Sequence, residues 1–359
     1  MGRDSGRLRQ EMKRKARGVI LVDFDVTAEW DFVDGLDDRM GGHTGWRVMK
    51  AVNNGRFFHT RAGNIVRYLS YFFFPLYVLI TCRHVTYIFG WQQFYGICTA
   101  FWQRTLHINT SARVTINTFI YKRKHGLAGR LYHWFVSYSL HSKTVGAVIC
   151  HSRHEAKACA LEFGMSDNIF RFVPLGLEGG NAVEHRADTG FTYIFSTGRS
   201  NRDYDFLVNA VTGSGYSLKI ACEWSHDTDD DNIEIIHNCY GKEMGEVMRG
   251  ASVVCIPLHD IHLSSGQLVI LQAFQAGIPV IVTRNTSVTD YVTDGYDGFV
   301  IDKDARTLIA CLDRLRDDAG LRRRMSANAR RTFNENFTSR RFGQRVAEVI
   351  VSQHRANGR

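Results

Sequence analysis

SSGQLVILQAFQAGIPVIV, residues 264–282, holds a loop, a helix and a buried strand in one short span. A Ser-Ser-Gly turn runs into an apolar segment, then Gly277-Ile278-Pro279, then the β-branched run Val280–Val282. A helix N-terminus preceded by small residues leaves backbone N–H groups free to hold an anion. No charged residue occurs between Ser264 and Val282. The span therefore reads as a phosphate-binding turn that lacks a carboxylate.

Short apolar runs recur on both sides of it, between helical patterns. RGVILVDFD (17–25), HVTYIFGW (84–91), RVTINTFIY (113–121), GAVICHS (146–152) and IFRFVPLG (169–176) read as strands of a first half. FTYIFSTG (191–198), YSLKIACEW (216–224), IEIIHNC (233–239), SVVCIPL (252–258), IPVIVT (278–283) and GFVID (298–302) read as strands of a second. Strands that are apolar throughout belong to sheets covered on both faces, and their alternation with helices predicts two parallel α/β domains. The polar stretch EGGNAVEHRADTG (178–190) reads as the linker. This predicts domains over 1–180 and 181–340, with a helical stripe at 341–359 returning to the first. Doubly wound sheets bind ligands at the carboxyl ends of their strands. There the second half offers Gly198-Arg199-Ser200-Asn201-Arg202-Asp203-Tyr204, His237-Asn238-Cys239-Tyr240 and Pro257–Gly266.

The net charge of +9 is unevenly spread. From Arg39 to His154 there is no Asp or Glu, against 15 Lys and Arg and nine His. Such a half carries a positive potential that attracts a polyanion: an anionic membrane face, a phosphorylated substrate or nucleic acid. Tyr68–Cys82, YLSYFFFPLYVLITC, is broken by Pro75 and too short to span a bilayer, so it reads as a buried or interfacial helix. The eight scattered cysteines read as buried thiols, which suits a reducing cytoplasm. Met1–Arg17 is polar and basic, unlike a signal peptide.

TGRSNRDYDFLVNAV, SVVCIPL, SSGQLVILQAFQAGIPVIV and DYVTDGYDGFVI stand in the order, and near the spacing, of glycosyltransferase family 4, which the chain resembles from about residue 145 to 345. The resemblance implies the GT-B fold, two Rossmann-like doubly wound domains facing across a cleft. It also implies sugar transfer from a nucleotide-sugar donor with retention of configuration and without a metal or other cofactor. Arg199 and Arg202 would offset the charge of the diphosphate leaving group, Arg202 covering for the Lys usual in the family. Gly198 would help bind the donor, and Ser265, Gly266 and Gln267 would offer backbone N–H groups to the diphosphate. The family pattern carries two glutamates eight residues apart, which fall on Ser264 and Gln272. A Gln amide still hydrogen-bonds to ribose hydroxyls, whereas a short Ser cannot reach the donor sugar as far. Asn238 and Tyr240 lie where the family holds the nucleotide base. Gly277 and Pro279 read as a helix cap and a strand entry.

On the acceptor side, Gly41-Gly42 stands where relatives use a glycine loop, behind an acidic stretch with Asp31, Asp34, Asp37 and Asp38. Lys122 and Lys124 in YKRKHGLAGR (121–130) would meet a lipid-linked phosphate or the bilayer, or form a solvated loop. No catalytic His is assigned, since Asn117-Thr118-Phe119 occupies the place where the family often has one. The resulting expectation is a cytoplasmic transferase at the inner face of the membrane, moving a sugar to a lipid-linked or polysaccharide acceptor. The alternatives are a nucleotide-sugar epimerase on the same fold and a noncatalytic sugar-nucleotide or nucleic-acid binding protein. No aromatic-basic recognition module supports nucleic acid as a partner.

Overall fold

The structure, a computed structural model, describes residues 17–27, 29–40, 45–51, 61–179, 190–226 and 230–357. Gly41, Gly42 and most of the expected linker lie outside them. The chain divides into two units, residues 1–173 with 342–359, and residues 174–341.

In the first unit the chain runs β1 (Gly18–Val22), α1 (Asp31–Met40), β2 (Trp46–Lys50), α2 (Arg61–Thr81), β3 (Tyr87–Gly90) and α3 (Gln93–Leu106). It continues through β4 (Arg113–Ile116), α4 (Gly126–Leu140), β5 (Val145–Cys150), α5 (Arg153–Phe163) and β6 (Phe170–Phe172). The six strands form one parallel sheet in the order β2-β1-β3-β4-β5-β6. Every residue of β1 and β5 is buried, as their unbroken apolar runs predict. Val19, Leu21, Val114 and Val148 face the layer of α2 to α5. β2 is absent from the strands expected above. It is a half-exposed edge strand, and WRVMK has no apolar run to mark it.

α2 also departs from expectation. It is one helix of 21 residues with Pro75 inside it, where the sequence suggested a shorter, broken segment. Pro75 removes only the bond its missing amide would make to the Tyr71 carbonyl, and the packed neighbours keep the helix whole. Gly63–Thr81 is thus long and apolar enough to cross a membrane, by length and composition alone.

The second unit contains β7 (Ile194–Thr197), α6 (Tyr204–Val211), β8 (Leu218–Ala221), β9 (Ile233–Ile236), α7 (Gly241–Arg249) and β10 (Val253–Ile256). Then come α8 (Gln267–Ala276), β11 (Val280–Thr283), β12 (Gly298–Ile301), α9 (Ala305–Asp317) and α10 (Ala319–Asn336). All six expected strands form, in the parallel order β12-β11-β10-β7-β8-β9. α8 ends at Gly277, whose φ of 72° is the left-handed cap a glycine accepts without strain.

The last helix, α11 (Ser339–Asn357), returns to the first unit from Phe342 onward. Phe342, Val346 and Ile350 join Val22, Phe32, Leu36 and Phe89 in a core on the sheet face opposite α2 to α5. A Cβ at Gly343 would stand 2.1 Å from the Phe32 carbonyl oxygen, so only glycine permits this approach. The acidic stretch after the first strand is α1, and it meets α11 directly. Gln344 Nε2 donates to Asp38 at 2.7 Å, and Arg39 pairs with Glu348 at 3.3 Å. The boundary between units falls at Val173–Pro174 rather than near residue 180, because residues 175–178 are stitched to the second unit. Leu177 N donates to Phe337 O at 2.9 Å, and Ser339 N donates to Leu177 O at 2.7 Å.

Candidate functional site

In the second sheet the strand order reverses between β7 and β10, and the loops leaving their carboxyl ends define a ligand site by topology. Gly198–Asp203 follows β7, and Pro257–Gly266 follows β10. Arg202 and Leu258 form an antiparallel bridge, and Asp203 N donates to Pro257 O at 3.0 Å. Asn201, at φ 57°, clasps the loops together. Its Nδ2 donates to Asp260 O at 2.9 Å and Ser265 Oγ at 2.8 Å, while its Oδ1 accepts from Asp260 N at 2.7 Å. An Asn fits here because its short amide tolerates the left-handed region and bonds locally.

A second clasp comes from the loop after β11. Asn285, buried, donates through Nδ2 to Leu263 O at 3.0 Å and Ser265 O at 3.3 Å. Its Oδ1 accepts from Ser287 N and Val288 N, each at 2.9 Å. The Gln267 side chain donates to Ser264 Oγ at 2.5 Å and Ser287 Oγ at 3.1 Å. Ser264, Ser265 and Gln267 therefore use their side chains to fix the turn, not to reach a ligand. What the turn offers is backbone: Gly266, at φ 94°, precedes α8 and supplies no side-chain cap. The first N–H groups of that helix have no intrahelical acceptors, and the helix dipole adds partial positive charge.

Arg199 and Arg202, a matched pair by sequence, have different surroundings. Arg202 folds back under its own loop, donating from Nε to Thr197 O at 3.0 Å and from Nη1 to Ser200 O at 2.9 Å. Burial lowers its pKa from the ordinary arginine value. A Cβ at Gly198 (φ 121°) would come within 2.5 Å of that guanidinium. Arg202 thus braces the loop through Nε and Nη1, where the sequence suggested only a role at the diphosphate. Arg199 is exposed and lies over the Tyr240 ring, 5.0 Å from its centroid.

Glu223, just beyond β8, organises the loop after β9. It accepts from the Tyr240 hydroxyl and, at 2.9 Å, from Asn238 N. These two donors, the hydroxyl foremost, hold its carboxyl below the usual range. Asn238 and Tyr240 are therefore placed by a carboxylate that the motif pattern does not include. Gln272 is half-buried on α8, one and a half turns from Gly266. Asp203 caps α6 by accepting from Phe206 N at 3.0 Å, and it pairs with Lys303 and with His259. Burial works against its charge, but these partners hold its pKa low.

The carboxyl end of the first sheet is polar too. Asp23, after β1, accepts from Gln92 Nε2 and from the Tyr71 hydroxyl at 3.1 Å. Burial foremost, with the charge of Asp23, pushes the Tyr71 pKa up to about 12. Asn117, after β4, is buried and donates to Trp91 O at 3.2 Å. Gln92 Oε1 and Asn117 Oδ1 are buried acceptors without a hydrogen-bond partner. His151, after β5, is buried between Val173 O at 2.8 Å and Thr118 Oγ1 at 3.2 Å. Burial lowers its pKa to about 4, partly offset by the Val173 carbonyl, so it is neutral at pH 7. Lys122 and Lys124 are exposed beyond β4, and Lys124 lies over the Tyr132 ring. Among the described residues, no cluster of three or more His, Cys, Asp or Glu is arranged to hold a metal ion.

Residues 199–332 match the family Glycosyl transferases group 1. No curated protein matches the chain in sequence. Among solved structures, Anabaena HepE in complex with UDP is similar at a TM-score of 0.65 and 12% identity, covering 93% of this chain and all of that one. A Rickettsia africae glycosyltransferase is similar at 0.63 and 11% identity, over 94% of this chain and 98% of that one. WaaG, a glycosyltransferase of lipopolysaccharide biosynthesis, is similar at 0.58 and 11% identity, over 93% and 99%. The chain thus has the GT-B fold of these glycosyltransferases, and the residues that match Glycosyl transferases group 1, 199–332, lie within its second unit.

Proposed function

We propose that the chain transfers a sugar from a nucleoside-diphosphate donor to a lipid-linked or polysaccharide acceptor, with retention of configuration, at the inner face of a membrane. The observation that carries the donor half is the clasped turn before α8. Asn201 and Asn285 hold it from the loops after two strands, so its amides are aimed before a ligand arrives. Preorganised donors stabilise charge without reorganising during reaction, which is what a departing diphosphate requires. Arg199 adds an exposed guanidinium from across the switch point. The loop held by Glu223 would take the base, and Gln272 the ribose hydroxyls. With protein groups meeting the diphosphate charge, we propose that transfer needs no metal. The HepE structures hold UDP and UDP-glucose, which supports a nucleotide-sugar donor.

The unpartnered oxygens of Gln92 and Asn117 support an acceptor at the carboxyl end of the first sheet. A buried acceptor atom left unpaired costs about 1–3 kcal/mol, and a sugar hydroxyl would pair it. The acid-free stretch from Arg39 to His154 supports the membrane location, and the buried free thiols suit the cytoplasmic side. The test is melting temperature against UDP, GDP and ADP, with Arg199→Ala alongside. One diphosphate should raise the melting point of the wild type and not of Arg199→Ala, since a ligand bound only by the folded state stabilises it. If none does, the donor reading is wrong.

A further inference from the structure

The first unit exposes a large apolar surface that its fold does not use. On α2, Leu69, Phe73, Tyr77 and Ile80 recur at helical spacing, and each is half or more exposed. On α4, Leu127, Leu131 and Trp134 do the same. α3 packs between these helices, and an aromatic seam makes the two stripes one surface. Phe73 contacts Phe72 at 5.2 Å between ring centroids, Phe72 contacts Phe101 at 5.7 Å, and Phe101 contacts Phe135 at 5.1 Å. Tyr138 and Trp134 continue it on α4, with Trp134 stacked at 5.5 Å. From Leu69 to Ile80 alone the stripe runs about 16 Å. Monomeric proteins rarely leave an apolar surface of this extent without a use for it.

Its rim is cationic. Arg104 lies over the Tyr138 ring at 4.2 Å, and Arg67 lies over Tyr68 at 5.9 Å. Arg83 is exposed beyond the end of α2, and Arg123, Lys124 and Arg130 are exposed around the start of α4. No residue of the three helices, or of the loops joining them, is Asp or Glu.

Resting on the membrane association proposed above, we infer that the α2–α3–α4 layer is the face by which the first unit lies on an anionic bilayer. Apolar and aromatic side chains enter the acyl boundary while the arginine and lysine rim meets lipid phosphates. A second copy of the chain is a poor occupant, since two acid-free cationic faces would repel. Nor does α2 cross the bilayer. Val78 and Leu79 are fixed in the sheet core, and Trp102 Nε1 donates to Phe72 O at 2.7 Å. Both α2 and α4 begin at the carboxyl end of the sheet, as crossover helices between parallel strands must. The docked face therefore abuts the end that carries Asp23, Gln92 and Asn117, and a lipid-linked acceptor would reach them without leaving the bilayer.

The test is co-sedimentation with phosphatidylcholine vesicles, with and without phosphatidylglycerol. The probes are wild type, Leu69→Glu/Phe73→Glu and Leu131→Glu/Trp134→Glu, all surface changes. The wild type should pellet with the anionic vesicles only, and less as salt rises. Each double variant should partition at least about tenfold less, the scale of losing one large apolar contact. Nucleoside-diphosphate melting shifts run in parallel report on folding and on the donor reading separately. Equal pelleting of wild type and variants would overturn the assignment. A concentration-dependent dimer of the wild type, dispersed by the same substitutions without vesicle binding, would equally overturn it in favour of self-association.

Discussion

Replacing Asn201 by Ala removes four hydrogen bonds at once: three donated by its amide, to Asp260 O, Ser265 Oγ and, at 3.5 Å, Leu263 O, and one accepted from Asp260 N. At about 1 kcal/mol net for the part-buried bond to Ser265 Oγ and about 0.5 kcal/mol for each of the two short exposed bonds with Asp260, the loss is about 2 kcal/mol. Alanine must also hold φ at 57°, which adds about 1 kcal/mol relative to Asn. The sum, about 3 kcal/mol, corresponds to a melting point lower by roughly 10 °C for a unit of this size. Asn201→Gly separates the terms, because glycine accepts the backbone conformation but makes none of the bonds. It should lose about 1 kcal/mol less than Asn201→Ala. The clasp also aims the turn before α8, so diphosphate affinity by calorimetry should fall at least about tenfold in both variants. An Asn201→Ala protein that melts and binds like wild type would refute the claim that this residue organises the site.

Gly198→Ala should displace Arg202 from the Thr197 and Ser200 carbonyls, lowering stability by about 2 kcal/mol and diphosphate affinity with it; denaturant titration and calorimetry report the two. His151 is neutral in the fold with a pKa of about 4, below its ordinary value, so protonation favours the unfolded chain. Stability should therefore fall as pH drops from about 6.5 toward 4, by about 1.4 kcal/mol per unit, and His151→Gln should flatten that slope in urea unfolding at pH 7 and 4.5. Gly343→Ala drives a methyl into the Phe32 carbonyl and should cost about 3 kcal/mol, read as faster proteolysis of α11.

Eleven strands were legible because each is written largely in Val, Ile, Leu and Phe, unbroken in the fully buried β1 and interrupted by a single charged residue in β6, β8 and β9. β2 was not, since WRVMK carries two basic residues in five and no two adjacent Val, Ile, Leu or Phe. The phosphate-type turn was visible in Ser-Ser-Gly ahead of an uncharged helix. Its supports were not, because Asn201 and Asn285 act on carbonyls of a loop that the fold, not the local sequence, brings beside them. Arg199 and Arg202 looked equivalent for the same reason. Only the loop's path shows that one turns inward to carbonyls while the other lies over Tyr240. Glu223 carried a signal, an acid just past a strand end, but its partners Asn238 and Tyr240 come from the next loop.

The return of residues 342–359 to the first unit makes the second unit an insertion within the first. A ribosome delivers the first sheet with one face covered by α1 but not yet by α11, so that Phe32, Leu36 and Ile149 lack their partners Phe342, Val346 and Ile350 until the whole inserted unit has followed. At about 5–20 residues per second that interval is roughly 10–30 s. The inserted unit can close on itself while the enclosing one waits, so the order of folding is the reverse of the order of synthesis. Through that interval the nascent chain carries apolar surface on both sides of its first sheet, the unfinished face on one side and α2 and α4 on the other. Holdase chaperones, or early contact with a bilayer, would find their targets there.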